Sequence, residues 1–544
     1  MKKTGLTRRG FGFSLASVSV TLMAAGSSKG SSALSVTKSD DFYEKLYRPH
    51  IHFSPSFGFV NDPCGLVYDG KQYHLYYQFR PMHNLTNEVD WGHAVSPDMY
   101  QWEDRGHAIV NSDEKGMAFT GSVVVDGQNT SALFPPGKAP LPANQMKGGL
   151  VALYTRDDRS IRKNHKSTIH AAWSGDGGNH YEDFAHNPVL DLNDPDTRDP
   201  QVFWHAPSQK WVLALASAYT HEILFYGSRN LIKWEHLSTF APAGYQGVEF
   251  ECPNLVELEI EGEKTKKWVL FISLNPGSPQ GGSSIQYFVG SFDGKKFVAD
   301  NSVMDFTDFA KDSYALQIFN DAPDGVKCGV SWFGNWQYCF FQPPKNWSGA
   351  MTLPRQFHLR RNEIGLPMLI QRPVGIDALV AKTLTSSQFV MEYERKVEKT
   401  VALPTNAAID VRLEAQVTHS VEPNGWLDIE FSNKDGEVLS LGYQRQTKSF
   451  WIDRSGLKGF SNHTFSTHFA ASLPRDSKSF QAQIILDGCT LEVYLNDGAG
   501  VGTCLVFPKA ALDTLTLRSS QLGLDVKKFE VNALKTTVKE REYL

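Results

Sequence analysis

Cysteine is scarce in this sequence: six residues among 544, at positions 64, 252, 328, 339, 489 and 504. Their spacing is irregular and no CxxC pair occurs, which excludes a small disulfide scaffold and offers no ligand set for zinc or dithiol redox chemistry. Long Lys/Arg clusters are absent beyond the N-terminus and the formal charge is -5, so the basic face that nucleic acid or an anionic membrane calls for is missing. A glycine-rich phosphate loop, an H-E-x-x-H helix, a serine elbow and a Cys–His pair are absent too, which removes the commonest nucleotide, zinc-protease, serine and cysteine chemistries. Long helical periodicity is lacking through the first half of the chain.

What is present is aromatic: 34 Phe, 19 Tyr and 12 Trp in a chain that is 41% hydrophobic and 21% charged, the balance of a soluble globular protein. Rings fill cores, and they also cover the apolar faces of sugars; composition permits both. The length exceeds one ordinary core, so two domains are expected. Residues 1–32 have the order of an export signal: Lys2, Lys3, Arg8 and Arg9, an apolar stretch from Phe11, then a Ser/Gly-rich tract. Thr7-Arg8-Arg9-Gly10-Phe11 is similar to a bacterial twin-arginine signal, which implies export of the folded protein to the periplasm or medium, with no stable membrane insertion afterwards.

From residue 48 the pattern is strand and turn. Val67–Phe79 places Asp69-Gly70 between apolar runs, followed by Tyr73, Leu75, Tyr77 and Phe79 at period two, a hairpin signature. A serine precedes an aromatic residue by six positions at Ser96/Trp102, Ser228/Trp234 and Ser291/Phe297, with Ser174/Tyr181 a looser copy. Such recurrence predicts repeated four-stranded units, about five between residues 60 and 345. The expected fold is all-β: a five-bladed β-propeller over 48–375, with a large β-barrel as the alternative, a polar connecting segment over 376–404, and a β-sandwich over 405–544.

Three settings select acids from the many on the chain. Asp62 lies in Asn61-Asp62-Pro63 ahead of a strand, either as a carboxylate on a constrained loop or as an Asx-turn cap. Asp199 follows Arg198 before the apolar Val202-Phe203-Trp204, either aimed inward or in a surface ion pair. Glu249 and Glu251 share one face of a strand by alternation, and each raises the other's pKa, the condition a proton donor needs; the residues alone do not choose between them. An acid-rich funnel lined with Trp and Phe points to glycoside chemistry.

These motifs resemble family 32 of the glycoside hydrolases, which comprises invertases, exo-inulinases, levanases and fructosyltransferases. The family's Trp-Met-Asn-Asp-Pro-Asn-Gly corresponds to Phe59-Val60-Asn61-Asp62-Pro63-Cys64-Gly65, preceded by Arg48-Pro49-x-x-His52-Phe53. Its Arg-Asp-Pro corresponds to Arg198-Asp199-Pro200 and its Glu-Cys to Glu251-Cys252. Phe119-Thr120-Gly121-Ser122, Asn335-Trp336-Gln337-Tyr338, Trp347 through Arg355, Trp451-Ile452-Asp453-Arg454-Ser455 and Leu491-Glu492-Val493-Tyr494 match as well. The resemblance implies a retaining β-fructofuranosidase acting on sucrose or fructans, with Asp62 as nucleophile, Glu251 as general acid/base and Asp199 as transition-state stabiliser. A fructosyltransferase shares the same intermediate, and a non-catalytic sugar-binding propeller is the alternative of another class. Asn61, Gln78, Trp91, Phe119, Ser122, Arg198 and Trp336 are expected to contact the sugar; no cofactor or metal is expected. Phe59, Val60 and Cys64 depart from the family pattern, and losing the amide at Cys64 is expected to bear on substrate preference or rate.

Overall fold

The computed structural model describes residues 44–538, apart from 83–87, 113, 136–147, 162, 164, 242, 302–303, 394–397, 420–424 and 475–477; the expected export signal lies outside the described residues. Among the described residues every long element is a strand, and the helices are one α-helical turn at 44–47 and short 3-10 turns. Among the described residues no helix is long and apolar enough to cross a membrane.

Five antiparallel meanders come first. Sheet I holds Gly58–Tyr68, Tyr73–Arg80, Asp90–Ser96 and Glu103–Ile109; sheet II holds Met117–Val125, Leu150–Asp157, Ser167–Ser174 and Glu182–Asp183. Sheet III holds Thr197–His205, Lys210–Ser217, Glu222–Ser228 and Glu235–Phe240; sheet IV holds Glu249–Glu259, Lys266–Asn275, Ser284–Phe292 and Phe297–Ala299, with Asp305–Phe306 alongside. Sheet V holds Tyr314–Ile318, Cys328–Phe333, Arg355–Arg361 and Pro367–Pro373, with Ala350–Met351 alongside. The predicted hairpin is the first two strands of sheet I, closed at Tyr68 opposite Tyr73.

Apolar side chains on both faces of each meander bury it between two neighbours. Cys64, Trp91 and Val123 link sheets I and II; Val151, Val202 and Leu213 link II and III; Val212, Phe250 and Ile272 link III and IV. Val256, Phe271 and Leu359 link IV and V, and Val60, Tyr77 and Val330 link V back to I. The first strand of each sheet touches the first strands of the sheets on either side, in cyclic order. Exposure follows this arrangement: Gly58–Tyr68 is buried almost throughout, whereas the first five residues of Glu103–Ile109 are exposed. Trp347–Ser348 pairs in parallel with Gly58–Phe59 and ties the end of the series to its beginning.

The serine repeat is a turn between the third and fourth strands. Ser96 donates to Asp98 at 3.0 Å, Ser174 to Asp176 at 2.9 Å and Ser228 to Asn230 at 3.2 Å, and each of these Asp or Asn side chains accepts backbone N–H groups just ahead. In sheet IV, Asp293 accepts from Lys295 and Lys296 in the same way. Sheet V uses Asn362 in this place without the serine, which hid its outer half. The last unit therefore runs to Pro373 and not to about 345, because the chain leaves sheet V after Phe333 and returns at Arg355.

Two six-stranded sheets follow and enclose one apolar layer that includes Val411, Leu413, Ile429, Phe431, Ile484, Leu517 and Val531. The segment expected to be a connector, 376–404, is a correction: Val380–Met391 and Glu398–Ala402 are the edge strands of these two sheets. Val380–Met391 is largely polar because an edge strand exposes much of its surface, so its composition read as a linker.

Candidate active site

Each first strand carries a β-bulge at the same level. Two residues oppose one at Asn61-Asp62, Phe119-Thr120, Asp199-Pro200, Cys252-Pro253 and Ala315-Leu316. Asp199, Cys252 and Ala315 take positive φ of 64°, 47° and 55°, a conformation that costs a non-glycine residue energy and recurs at functional sites. A bulge breaks the strict alternation of faces, so acids from different sheets turn toward one centre.

Asp62 is held on both oxygens. Asn61 Nδ2 donates to Oδ1 at 2.9 Å, and Thr120 Oγ1 donates to Oδ2 at 2.8 Å. Gln78 Nε2 donates to Thr120 Oγ1 and lies 3.3 Å from Asp62 Oδ2, while Arg80 Nη1 donates to Asn61 Oδ1 at 2.9 Å. The Cys252 thiol sits between two acids, 3.5 Å from Asp62 Oδ2 and 3.6 Å from Asp199 Oδ2, and the Cys252 N–H donates to Asp199 Oδ2 at 3.1 Å. Glu251 is one residue away. Its Oε1 accepts from Arg198 Nε at 3.2 Å and Nη2 at 3.1 Å, and its Oε2 accepts from the Tyr314 hydroxyl. Arg198 Nη2 also reaches Glu249 Oε2 at 2.7 Å, and Arg198 Nε lies 4.0 Å from Asp199 Oδ2.

Four acids thus face two arginines, and the charges do not balance. Burial and then the Glu251 charge push the Asp62 carboxyl up, against the Asn61 and Thr120 hydrogen bonds and the Arg80 charge. Burial likewise lifts Asp199 to about 7, with Arg198 opposing and Glu251 and Asp62 adding to the rise. Burial raises the Cys64 and Cys252 thiols well above their usual range, so both are neutral S–H groups. Among the described residues no group of His, Cys, Asp and Glu is placed to hold a metal ion.

The structure brings together Asp62, Asp199, Glu251, Asn61, Gln78 and Arg198. Trp336 stands beside them, its ring 5.5 Å from the Arg80 guanidinium. Phe119 lines the next strand, with Arg159 over its ring at 5.3 Å. Trp91 and Ser122 are corrections. Trp91 is 0% exposed and donates from Nε1 to the Phe119 carbonyl, leaving no surface for a ligand. Ser122 is buried and its Oγ accepts the Val202 N–H, which ties sheet II to sheet III. Sequence reasoning missed Thr120, Arg80 and Tyr314. Arg80 was findable, since period two puts it on the face of Gln78; Tyr314 carries no local signal.

Comparison with known proteins gives the family. The model of the glycosyl hydrolases family 32 N-terminal domain matches residues 52–373, and that of the family 32 C-terminal domain matches 376–533. The extracellular exo-inulinase of Meyerozyma guilliermondii is 36% identical over 506 residues, 90% of this chain and 95% of the relative. The levanase of Bacillus subtilis is 34% identical over 91% of this chain and 71% of its own length. The solved β-fructofuranosidase of Schwanniomyces occidentalis, complexed with fructosyl-erythritol, aligns with a TM-score of 0.83 at 31% identity, covering 92% of this chain and 99% of that one. With both of its parts matched in order, the chain belongs to family 32 of the glycosyl hydrolases and is a glycoside hydrolase.

Proposed function

We propose that this hydrolase is a retaining β-fructofuranosidase that removes terminal fructosyl units from sucrose and β-fructans, in a funnel formed by sheets I–V as a five-bladed propeller. The carrying observation is the meeting of acids from three different first strands around one thiol, Cys252 Sγ lying 3.5 Å from Asp62 and 3.6 Å from Asp199 with Glu251 next in sequence. Ionised Asp62 attacks the anomeric carbon of fructose while Glu251 protonates the departing oxygen. A covalent fructosyl–Asp62 ester forms; Glu251, now deprotonated, takes a proton from water, which attacks the ester and releases fructose with net retention. The hydrogen bonds from Asn61 and Thr120 and the Arg80 charge favour ionised Asp62 against its burial. Asp199 and Arg198 orient the fructosyl hydroxyls. The relatives named as exo-inulinase, levanase and β-fructofuranosidase support this substrate class, and the relative named as extracellular supports export directed by residues 1–32.

Asp62→Asn is expected to lower kcat on sucrose by about 10³-fold or more, with the fold kept. NMR of the first fructose released by the parent enzyme is expected to show the β-anomer, and free fructose should equal free glucose at high sucrose. Full turnover by Asp62→Asn, or an inverted first product, would overturn the mechanism. A fructose-to-glucose ratio well below one would assign the enzyme to transfer.

A further inference from the structure

Glu251, as the acid that must deliver a proton, lies against a guanidinium and a phenol. Arg198 donates twice to Oε1, and Tyr314 donates to Oε2. A guanidinium and a phenol that both donate to one carboxylate favour its ionised form, whereas a proton donor must keep its protonated form within reach. Something must draw the arginine away. The same strand supplies it two residues earlier. Glu249 lies on the Glu251 face of Glu249–Glu259, with Phe250 buried on the opposite face against sheet III. Its carboxylate takes the shortest of the Arg198 contacts, 2.7 Å from Nη2 against 3.1 Å for Glu251. Both acids are partly screened, with side chains 18% and 17% exposed, whereas Arg198 is 6% exposed.

We propose that Glu249 is a positioning residue that competes with Glu251 for the Arg198 guanidinium and so keeps Glu251 able to hold and deliver a proton. The proposal rests on the reading of Glu251 as acid/base given above. The groups facing Glu251 are Arg198 and Asp199 from sheet III, Asp62 and Arg80 from sheet I, Tyr314 from sheet V, and Cys252 and Glu249 from its own strand. Those facing Glu249 are Arg198, Glu251 and the Tyr219 hydroxyl, which donates to it. Arg198 is further engaged by the Asp196 carbonyl at 3.3 Å and carboxylate at 3.7 Å, and Asp196 in turn is shared with Arg159 and His165. Of all these, Glu249 is the acid that both touches the guanidinium and shares a strand face with Glu251. Losing it removes a like charge and frees Nη2 from its shortest contact, and both changes favour the charged form of the neighbouring acid.

The test is the pH profile of kcat/KM on sucrose for the parent, Glu249→Gln and Glu249→Asp. The alkaline limb of Glu249→Gln is expected to move down by about 0.5 to 1 pH unit while the acid limb moves less, and Glu249→Asp should recover part of the shift. An alkaline limb that stays in place or moves up, with the rate lowered equally at every pH, would reduce Glu249 to a structural part and overturn the proposal. Glu251→Gln, assayed on sucrose and on a p-nitrophenyl fructofuranoside, separates the two readings. Selective loss on sucrose supports Glu251 as the acid whatever Glu249 does, and loss on neither substrate removes the premise itself.

Discussion

Two buried ionic regions of this molecule are built in opposite ways. At the centre of sheets I–V, Asp62, Asp199, Glu249 and Glu251 face Arg80 and Arg198, and burial raises Asp62, Asp199 and Glu249. Between these sheets and the two C-terminal ones, Asp487, Glu492 and Asp312 each have a cation of their own, while Asp308, which shares Arg355 at 3.9 Å, is lifted by burial to about 6. His52 lies between Asp487 at 2.7 Å and Glu492 at 3.0 Å; Arg355 grips Glu492 at 2.7 Å; Arg454 grips Asp312 at 2.8 Å. All of these side chains are almost fully buried. Burial depresses the His52 imidazole, yet the two carboxylates outweigh it and lift His52 to about 9; burial raises Glu492, yet Arg355 and His52 bring it down to about 2. The same desolvation acts in both places and the count of partners decides the sign. The interface pairs three of its acids with cations and holds two parts together, whereas the centre is left short of cations and is chemically usable.

The sharpest break of that contrast is Glu492→Gln. Among the described residues it leaves Arg355 with the Asp308 carboxylate alone, at 3.9 Å, and it removes one of the two acids that keep His52 protonated. A loss of about 3–5 kcal/mol is expected, read as a lower midpoint in chemical unfolding near pH 6. The sign of its pH dependence follows from the two groups. The His52 contribution is complete below about 6.5 and is lost as pH rises through about 9; the Glu492 contribution is complete above about 4.5 and is lost as pH falls through about 2. The gap between parent and variant should therefore be widest between those limits. An equal gap at pH 10 would mean that the Glu492–Arg355 pair carries the loss and that His52 adds little to it.

Asp199→Asn tests the other side. An acid whose folded pKa is raised to about 7 binds its proton more tightly folded than unfolded, so the stability it contributes at low pH is lost as pH rises from about 4 to about 7. Replacing it with a neutral isostere that still accepts the Cys252 N–H is expected to stabilise the protein by roughly 2–4 kcal/mol at pH 7 and hardly at all at pH 4, while turnover falls. Thermal melts at the two pH values check this. A variant less stable than the parent at pH 7 would show that Arg198 already compensates Asp199.

This division also explains what could be read beforehand. Period-two alternation gave the hairpin at Tyr68/Tyr73, and the serine repeat gave the units because a Ser-x-Asp turn is a local device. The bulges were not legible, since two residues oppose one only once the partner strand is known; with them went Thr120, and Tyr314 had no neighbouring motif at all. Nor did the motifs reveal their own purpose. Asp62 and Glu251 lie in motifs that build the site, but His52, Arg355, Arg454 and Glu492, which lie in equally recognisable motifs, build the interface. A string of residues marks a place under constraint without saying whether chemistry or assembly imposes it.

Cys64 is the smallest test of the same distinction, because it sits one residue beyond Asp62-Pro63 and yet has no open surface. Its thiol donates to the Asp62 carbonyl at 3.5 Å and is also hydrogen-bonded with the Thr120 hydroxyl and the Gly121 backbone, and it belongs with Val123, Trp91 and Tyr154 to the apolar layer between sheets I and II. Phe59 and Val60 are equally buried, Phe59 against Trp332, Trp336 and Phe340, and Val60 in the layer between sheets V and I. None of the three departures has an open side-chain surface. Cys64→Asn places an amide with three further hydrogen-bonding positions into that layer and is expected to cost about 1–2 kcal/mol of stability. The ratio of sucrose to inulin turnover should stay where it was. A changed ratio with an unchanged melting temperature would mean that Cys64 acts on the substrate through Asp62, and would move this position from the packing between sheets into the site.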